Sequence, residues 1–232
     1  MINGKDSQNT FYVLDKKNDT PIVFIHGVGL NHKIWEPQIN VFENTFLAYD
    51  ILGHGNTPLN KENINFDDFS NQLKNLIDEL NMKKIHLVGF SIGSLIARNF
   101  ASKYSDRLES LILLCSIFKR TEKQQQVVKD RFELAKKSRN LSKQALKRWF
   151  TDDYLEKNPN TYNKISSMLE ENNMENFLKV YELFVKHQDN EKFENIKTKT
   201  LIMTGENDIG STTEMSKNLS KKIANSKVKI VS

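Results

Sequence analysis

The stretch Leu87-Val88-Gly89-Phe90-Ser91-Ile92-Gly93 decides the fold. The apolar run from Ile85 to Val88 reads as a short buried strand, and the spacing of Leu95, Ile96, Asn99 and Phe100 reads as a helix. Strand, sharp turn and helix follow one another with a single serine at the turn. A residue at the tip of such a turn has a crowded backbone, so its neighbours must be small, and its Oγ stands free above the sheet edge, as a nucleophile requires. Gly-x-Ser-x-Gly alone is a weak signal, arising by chance in about one chain in twelve of this length. The flanking strand and helix give it weight.

Working outward, Pro21 to Ile25 and Phe46 to Tyr49 read as strands, with Phe11 to Leu14 a weaker edge strand. The first firm strand ends in His26-Gly27-Val28-Gly29, where two glycines permit a tight turn with outward-pointing amides. Trp35, Ile39 and Phe42 share a helical face. Asp50 stops the next strand, and Gly53-His54-Gly55-Asn56-Thr57-Pro58 is a cluster of turn signals. Asn65 is a helix N-cap for Phe66, Phe69, Leu73, Leu76, Ile77 and Leu80, with Asp67 and Asp68 in the first turn. Leu111 to Cys115 reads as a further strand with Cys115 a buried core thiol. This alternation predicts an α/β fold with a mostly parallel sheet covered by helices on both faces. Ligands bind such sheets beyond the carboxyl ends of the strands, where His26, Gly27, Asp50, Ser91, Cys115 and Ser116 fall.

The alternation stops between Lys119 and His187. Only helical patterns occupy that stretch, from Val128, Phe132 and Ala135 to Phe177, Leu178, Tyr181 and Phe184. Alternation returns with Thr200 to Thr204, the loop Gly205-Glu206-Asn207-Asp208, a helix bearing Met215, Leu219 and Ile223, and a strand from Lys227 to Val231. The expected organisation is a core of residues 1–117 and 191–232, with 118–190 inserted as a helical cap over the strand ends. Trp35, Trp149 and the cap aromatics read as core packing.

A chain of 232 residues with 38% hydrophobic and 27% charged content has room for one sizeable core. No apolar run approaches the ~18 residues that span a bilayer, and Met1 to Thr10 holds no apolar targeting segment, so a cytoplasmic protein without a membrane partner is expected. The single cysteine excludes an internal disulfide and supplies no metal site. The net charge of +5 is uneven: Lys119 to Arg148 holds eleven basic and three acidic residues, leaving the remainder slightly acidic. Such a segment is ordinarily the solvated face of helices. Placed over a cleft, it would concentrate an anionic substrate. No interleaved aromatics suggest a nucleic-acid surface.

With these residues in view, the chain resembles the α/β-hydrolase superfamily over nearly its whole length. Four landmarks stand in the expected order: His26 to Gly29, Asp50 to Gly55, Gly89 to Gly93, and Gly205 to Asp208. The stretch GVGLNHKIWEPQ after the first landmark is similar to the small carboxylesterases and the 3-oxoadipate enol-lactonase group. The resemblance implies Ser91 as nucleophile, the Val28 and Ile92 amides as an oxyanion hole, and Asp208 as the acid that orients a histidine base. Only the amides of Val28 and Ile92 matter by this logic, so their side chains are expected to be free to change. Asp50 and His54 are expected to be turn-makers. The implied activity is cleavage of a small ester or lactone through an acyl-enzyme, with no metal or organic cofactor, and the enol-lactonase resemblance suits a substrate that carries a carboxylate. A C–C hydrolase or thioesterase uses the same serine, whereas dehalogenases and epoxide hydrolases of this superfamily carry a carboxylate there. Composition leaves the oligomeric state open.

One departure stands out. The family's histidine follows the last strand, and this sequence reaches Ser232 at that point with its five histidines all elsewhere. Three accounts fit: the C-terminus is truncated relative to a longer natural protein, His187 or His32 substitutes, or the chain is a non-catalytic binding protein. Loss of the histidine alone in a serine hydrolase costs on the order of a millionfold in turnover, so the 232-residue chain is expected to be nearly inactive.

Overall fold

The computed structural model describes residues 1–137 and 141–232. Eight strands form one sheet: β1 (Ile2–Lys5), β2 (Phe11–Asp15), β3 (Ile22–Ile25), β4 (Phe46–Tyr49), β5 (Ile85–Phe90), β6 (Leu108–Leu114), β7 (Thr200–Gly205) and β8 (Ser226–Val231). They lie in the order β1-β2-β4-β3-β5-β6-β7-β8, with β1, β2 and β4 antiparallel and every pairing from β4 to β8 parallel. The expected α/β architecture is present. β2 is not the edge, because the polar strand Ile2–Lys5 pairs outside it.

Side chains alternate across a strand, and here the alternation divides the core. Val23 and Ile25, Leu47 and Tyr49, and Ile85 and Leu87 pack on one face with α2 (Phe66–Glu79) and α3 (Ile92–Lys103). Phe24, Phe46, Ala48 and Val88 pack on the other with Trp35 and Ile39. The helix expected through Phe42 is shorter, a 3₁₀ turn at His32–Trp35 followed by α1 (Glu36–Ile39). Asn65 does cap α2: its side chain accepts the Asp67 and Asp68 amides while Asp68 accepts the Asn65 N–H, a capping box.

Between β6 and β7 the chain is helical: α4 (Glu122–Lys137), α5 (Leu141–Trp149), α6 (Asp152–Lys157), α7 (Pro159–Glu170) and α8 (Met174–Val185). Leu146, Ile165, Met168 and Leu169 pack on Leu30 in the loop after β3, which seats this segment on the sheet. After β7 comes α9 (Thr213–Ser220), whose Met215 and Leu219 join the main core with Ile223 just beyond it.

Arg98 on α3 ties the helical segment to the sheet at both crossings. Its guanidinium is fully buried and donates to the Ile117 carbonyl (2.8 Å), Asp189 Oδ1 (2.7 Å) and Glu191 Oε2 (2.8 Å). Asp189 Oδ2 also accepts the Lys119 N–H at 2.7 Å, so one carboxylate pins the outgoing and returning chains together. Burial pushes Asp189 upward, but nearby His187, the Arg98 charge and the Lys119 amide outweigh it and hold the carboxyl well below its usual range. Removing one partner of a buried pair strands the other's charge. Arg98→Met is therefore expected to cost about 3–5 kcal/mol in urea unfolding. Because the folded value of Asp189 lies below the unfolded one, its contribution is present above about pH 4 and lost below it, and the variant's loss should be flatter there.

Candidate active site

Ser91 sits where β5 passes into α3, with φ 56° and ψ −118°. Its two flanking glycines are required by contact. A Cβ on Gly89 would stand 2.3 Å from the Gly93 carbonyl oxygen, and one on Gly93 would stand 2.4 Å from that of Ile25. The helix and the neighbouring strand thus press against the turn, leaving a non-glycine residue in left-handed backbone at its tip.

The Gly27 turn lies against that tip, since a Cβ there would meet Phe90 Cδ1 at 3.1 Å and Ser91 Cβ at 3.4 Å. Gly29, at φ 77°, donates its N–H to His54 Nε2 (2.8 Å), and its carbonyl accepts from Asn172 Nδ2 (2.7 Å) at the end of α7. The turn carrying the Val28 amide is braced from both sides. Ile92 opens α3, so its N–H belongs to the first turn, which lacks intrahelical acceptors. Its side chain is fully buried in the main core, which corrects the expectation that it may vary freely.

Val28, Ser91, Cys115 and Asp208 line one cavity of about 810 Å³ roofed by α4, α5 and α8. Asp208 lies beyond β7. Its Oδ1 accepts the Gly210 and Ser211 N–H groups (2.8 and 2.9 Å), and its Oδ2 accepts the Ser211 hydroxyl (2.7 Å). Cys115 is not a strand residue in the core. It follows β6 at φ 50°, half-buried, and burial together with nearby Asp208 pushes its thiol up to about 12, so it stays protonated. Trp149, expected to be core packing, is 41% exposed and lines the same cavity. Helical spacing does not separate a side chain facing a cavity from one facing a core.

The histidines are engaged elsewhere. His26 Nε2 accepts the Ile51 N–H (3.0 Å), so its Nδ1 carries the proton and donates to the Gly27 carbonyl (2.8 Å). His54, accepting from Gly29, has its Nδ1 toward the Leu52 carbonyl (3.3 Å). His32 Nδ1 meets Asp50 Oδ1 at 2.8 Å, His86 meets Ser110 Oγ at 2.8 Å, and His187 Nε2 stands 3.4 Å from Asp189 beside a separate cavity of about 540 Å³. Among the described residues, no histidine lines the Ser91 cavity. His32 and His187, considered above as substitute bases, lie against other acids. Asp50 and His54 do make the turn: Asp50 is fully buried and accepts the His32 and Asn56 N–H groups.

The model of the alpha/beta hydrolase fold matches residues 20–232. The chain belongs to that family. It is 28% identical over 215 residues, 90% of this chain and 80% of the relative, to the (E)-2-((N-methylformamido)methylene)succinate hydrolase of Acinetobacter baylyi. It is 25% identical over 211 residues, 90% of this chain and 79% of the relative, to 3-oxoadipate enol-lactonase 1 of the same organism. The crystal structure of the enol-lactonase from Burkholderia xenovorans superposes with a TM-score of 0.87 at 23% identity, covering 96% of this chain and 88% of that one. These relatives support a hydrolytic function. No described helix is long and apolar enough to cross a membrane.

Burial, with a smaller effect from neighbouring His26, pushes His54 down to about 3. An exposed histidine takes up its proton near pH 6.5. His54 is therefore expected to keep the neutral pattern of ring nitrogen shifts at pH 5 in an NMR titration; conversion to imidazolium between pH 7 and 5 would contradict the bracing described. Its depressed folded value means stability falls as pH drops from about 6.5 toward 3, by up to ~1.4 kcal/mol per pH unit for this group.

Proposed function

We propose that this hydrolase cleaves a small ester or lactone through an acyl-enzyme on Ser91, with the segment 118–190 acting as a cap. The observation that carries the reading is the strained serine of a strand-turn-helix elbow, sharing a cavity with Val28 and Asp208. In this mechanism Ser91 Oγ attacks the carbonyl carbon and its proton passes to a base. The negative charge that develops on the carbonyl oxygen is met by the Val28 and Ile92 amides. The ester C–O bond then breaks, the alcohol or enol oxygen leaves with the proton, and water attacks the acyl group to release a carboxylic acid and restore Ser91. No step calls for a metal or organic cofactor.

The proposed orienting acid is Asp208, whose oxygens are turned into defined directions by Gly210 and Ser211. Its described partners are donors of its own loop, the Thr204 hydroxyl and the Cys115 thiol, and not a histidine, which bears on a second reading, a ligand-binding protein without turnover. The two part under a fluorophosphonate probe. In the catalytic reading Ser91 labels slowly in residues 1–232, added imidazole accelerates labelling by supplying a proton acceptor, and Ser91→Ala abolishes it. Equal labelling of the parent chain and Ser91→Ala, or no labelling with imidazole present, overturns it.

A further inference from the structure

Four cationic side chains of the helical segment, Arg120, Lys123, Arg131 and Arg148, line the cavity that holds Ser91. Arg120 precedes α4, Arg131 is on α4 and Arg148 is on α5, so three separate stretches bring guanidinium groups to one place. Each is held by contacts that leave charge unanswered. Arg120 Nη1 donates to the Phe184 and Val185 carbonyls (3.1 and 3.3 Å), and its Cζ lies 4.5 Å from the Phe184 ring centroid. Its Nη2 is buried without any hydrogen-bond partner. Arg131 Nε reaches the Val127 carbonyl at 3.3 Å, and Arg148 Nη1 the Gln144 carbonyl at 2.8 Å, both within their own helices.

Among the described residues none of the three arginines forms an ion pair with a carboxylate. Residues 138–140 contain no acid. The cavity's own acids, Glu206 and Asp208, belong to the loop beyond β7, and Asp208 is bonded to that loop. Asp189, the other carboxylate felt by Arg120, is already bound to Arg98. Burial pushes Arg120 down to about 10, with Arg131 adding repulsion, while Arg148, though exposed, is lowered by the same two causes. All three arginines also act on the half-buried Tyr181 hydroxyl, which lines the cavity. Like charges gathered in a partly dry site are costly without an anion, and guanidinium groups with free donors match carboxylates in paired hydrogen bonds.

We propose that Arg120, Arg131 and Arg148 form an anion subsite that binds carboxylate groups on the part of the substrate remote from its scissile carbonyl, dianions more tightly than monoanions. The subsite rests on the reading of the Ser91 cavity as the substrate site. It assigns specificity to the cap and chemistry to the sheet. Repulsion among three cations is offset more fully by two negative charges than by one, which is the basis for the dianion preference.

The test is calorimetric titration of the full chain with glutarate, dimethyl glutarate and inorganic phosphate. Glutarate is expected to bind and its neutral diester not to. Glutarate affinity should fall as salt rises, and Arg131→Gln and Arg148→Gln should each weaken it roughly tenfold, the loss of a charge-assisted hydrogen bond at a partly solvated site. Unchanged circular dichroism shows that a variant remains folded; should one unfold, the salt dependence and the diester comparison on the parent chain still decide. Equal binding of glutarate and its diester, glutarate binding indifferent to salt or to both substitutions, or phosphate binding as tight as glutarate overturns the subsite. Ser91→Ala separates the two readings. Glutarate binding that survives it, with no probe labelling of the parent chain even when imidazole is present, overturns the hydrolase reading and supports the subsite. Probe labelling without glutarate binding does the reverse.

Discussion

The backbone at Ser91 is the constraint on which the rest depends. A serine at φ 56° and ψ −118° persists only where surrounding structure over-determines it. Here the determination comes from two close approaches. Gly93 lies against the carbonyls of Ile25 and His26, and Gly89 lies against the carbonyl of Gly93 itself. The first locks α3 onto the end of β3, and the second locks it onto β5. Since β5 is paired with β3 on one side and β6 on the other, the middle of the sheet holds the turn rigid. The strain is local, and its support is the parallel sheet.

The neighbouring turn after β3 is fixed by different means. Two buried imidazoles act as hydrogen-bond acceptors for backbone amides, His26 for Ile51 and His54 for Gly29. A protonated ring would lose that acceptor, so burial, which keeps the rings neutral, also keeps the turn in place. Asp50 works in the same layer, holding His32 with one oxygen and the Asn56 amide with the other. These residues have catalytic chemistry and structural positions. Their absence from the cavity wall separates the two uses.

The fold was legible because its signals are local. The short apolar runs of β3, β4 and β5, the glycines around Ser91 and the Asn65 cap each act within a few residues of themselves. The polar strand Ile2–Lys5 was not legible, because its pairing with β2 is made by backbone groups and leaves its side chains largely exposed. Cys115 was misread for a related reason. An apolar run leading into a cysteine looks like a continuing strand, and only the left-handed backbone after Leu114 turns the thiol to the cavity beside Asp208. The Ile92 side chain shows the limit of arguing from a role: an amide assigned to a site still carries a side chain that the core holds. The basic segment was visible as charge, but which arginines meet depends on how α4, α5 and α8 pack.

The arginines show how partners sort one residue type into two functions. Arg98 is buried completely, and although its Nε has no partner, two carboxylates and a main-chain carbonyl accept from its two outer nitrogens, so its charge is spent inside the fold, joining the chain crossings. Arg120 lies only a few residues from the Ile117 carbonyl that Arg98 holds, yet its outer nitrogen has no partner and its remaining bonds serve to aim it. Asp189 is common to both surroundings. With its oxygens bound to Arg98 and the Lys119 amide, it acts on Arg120 through its charge and not through a hydrogen bond. The ion pair that fastens the helical segment thus has a second consequence: it occupies the carboxylate that Arg120 feels, so direct pairing at the proposed anion subsite falls to whatever enters the cavity.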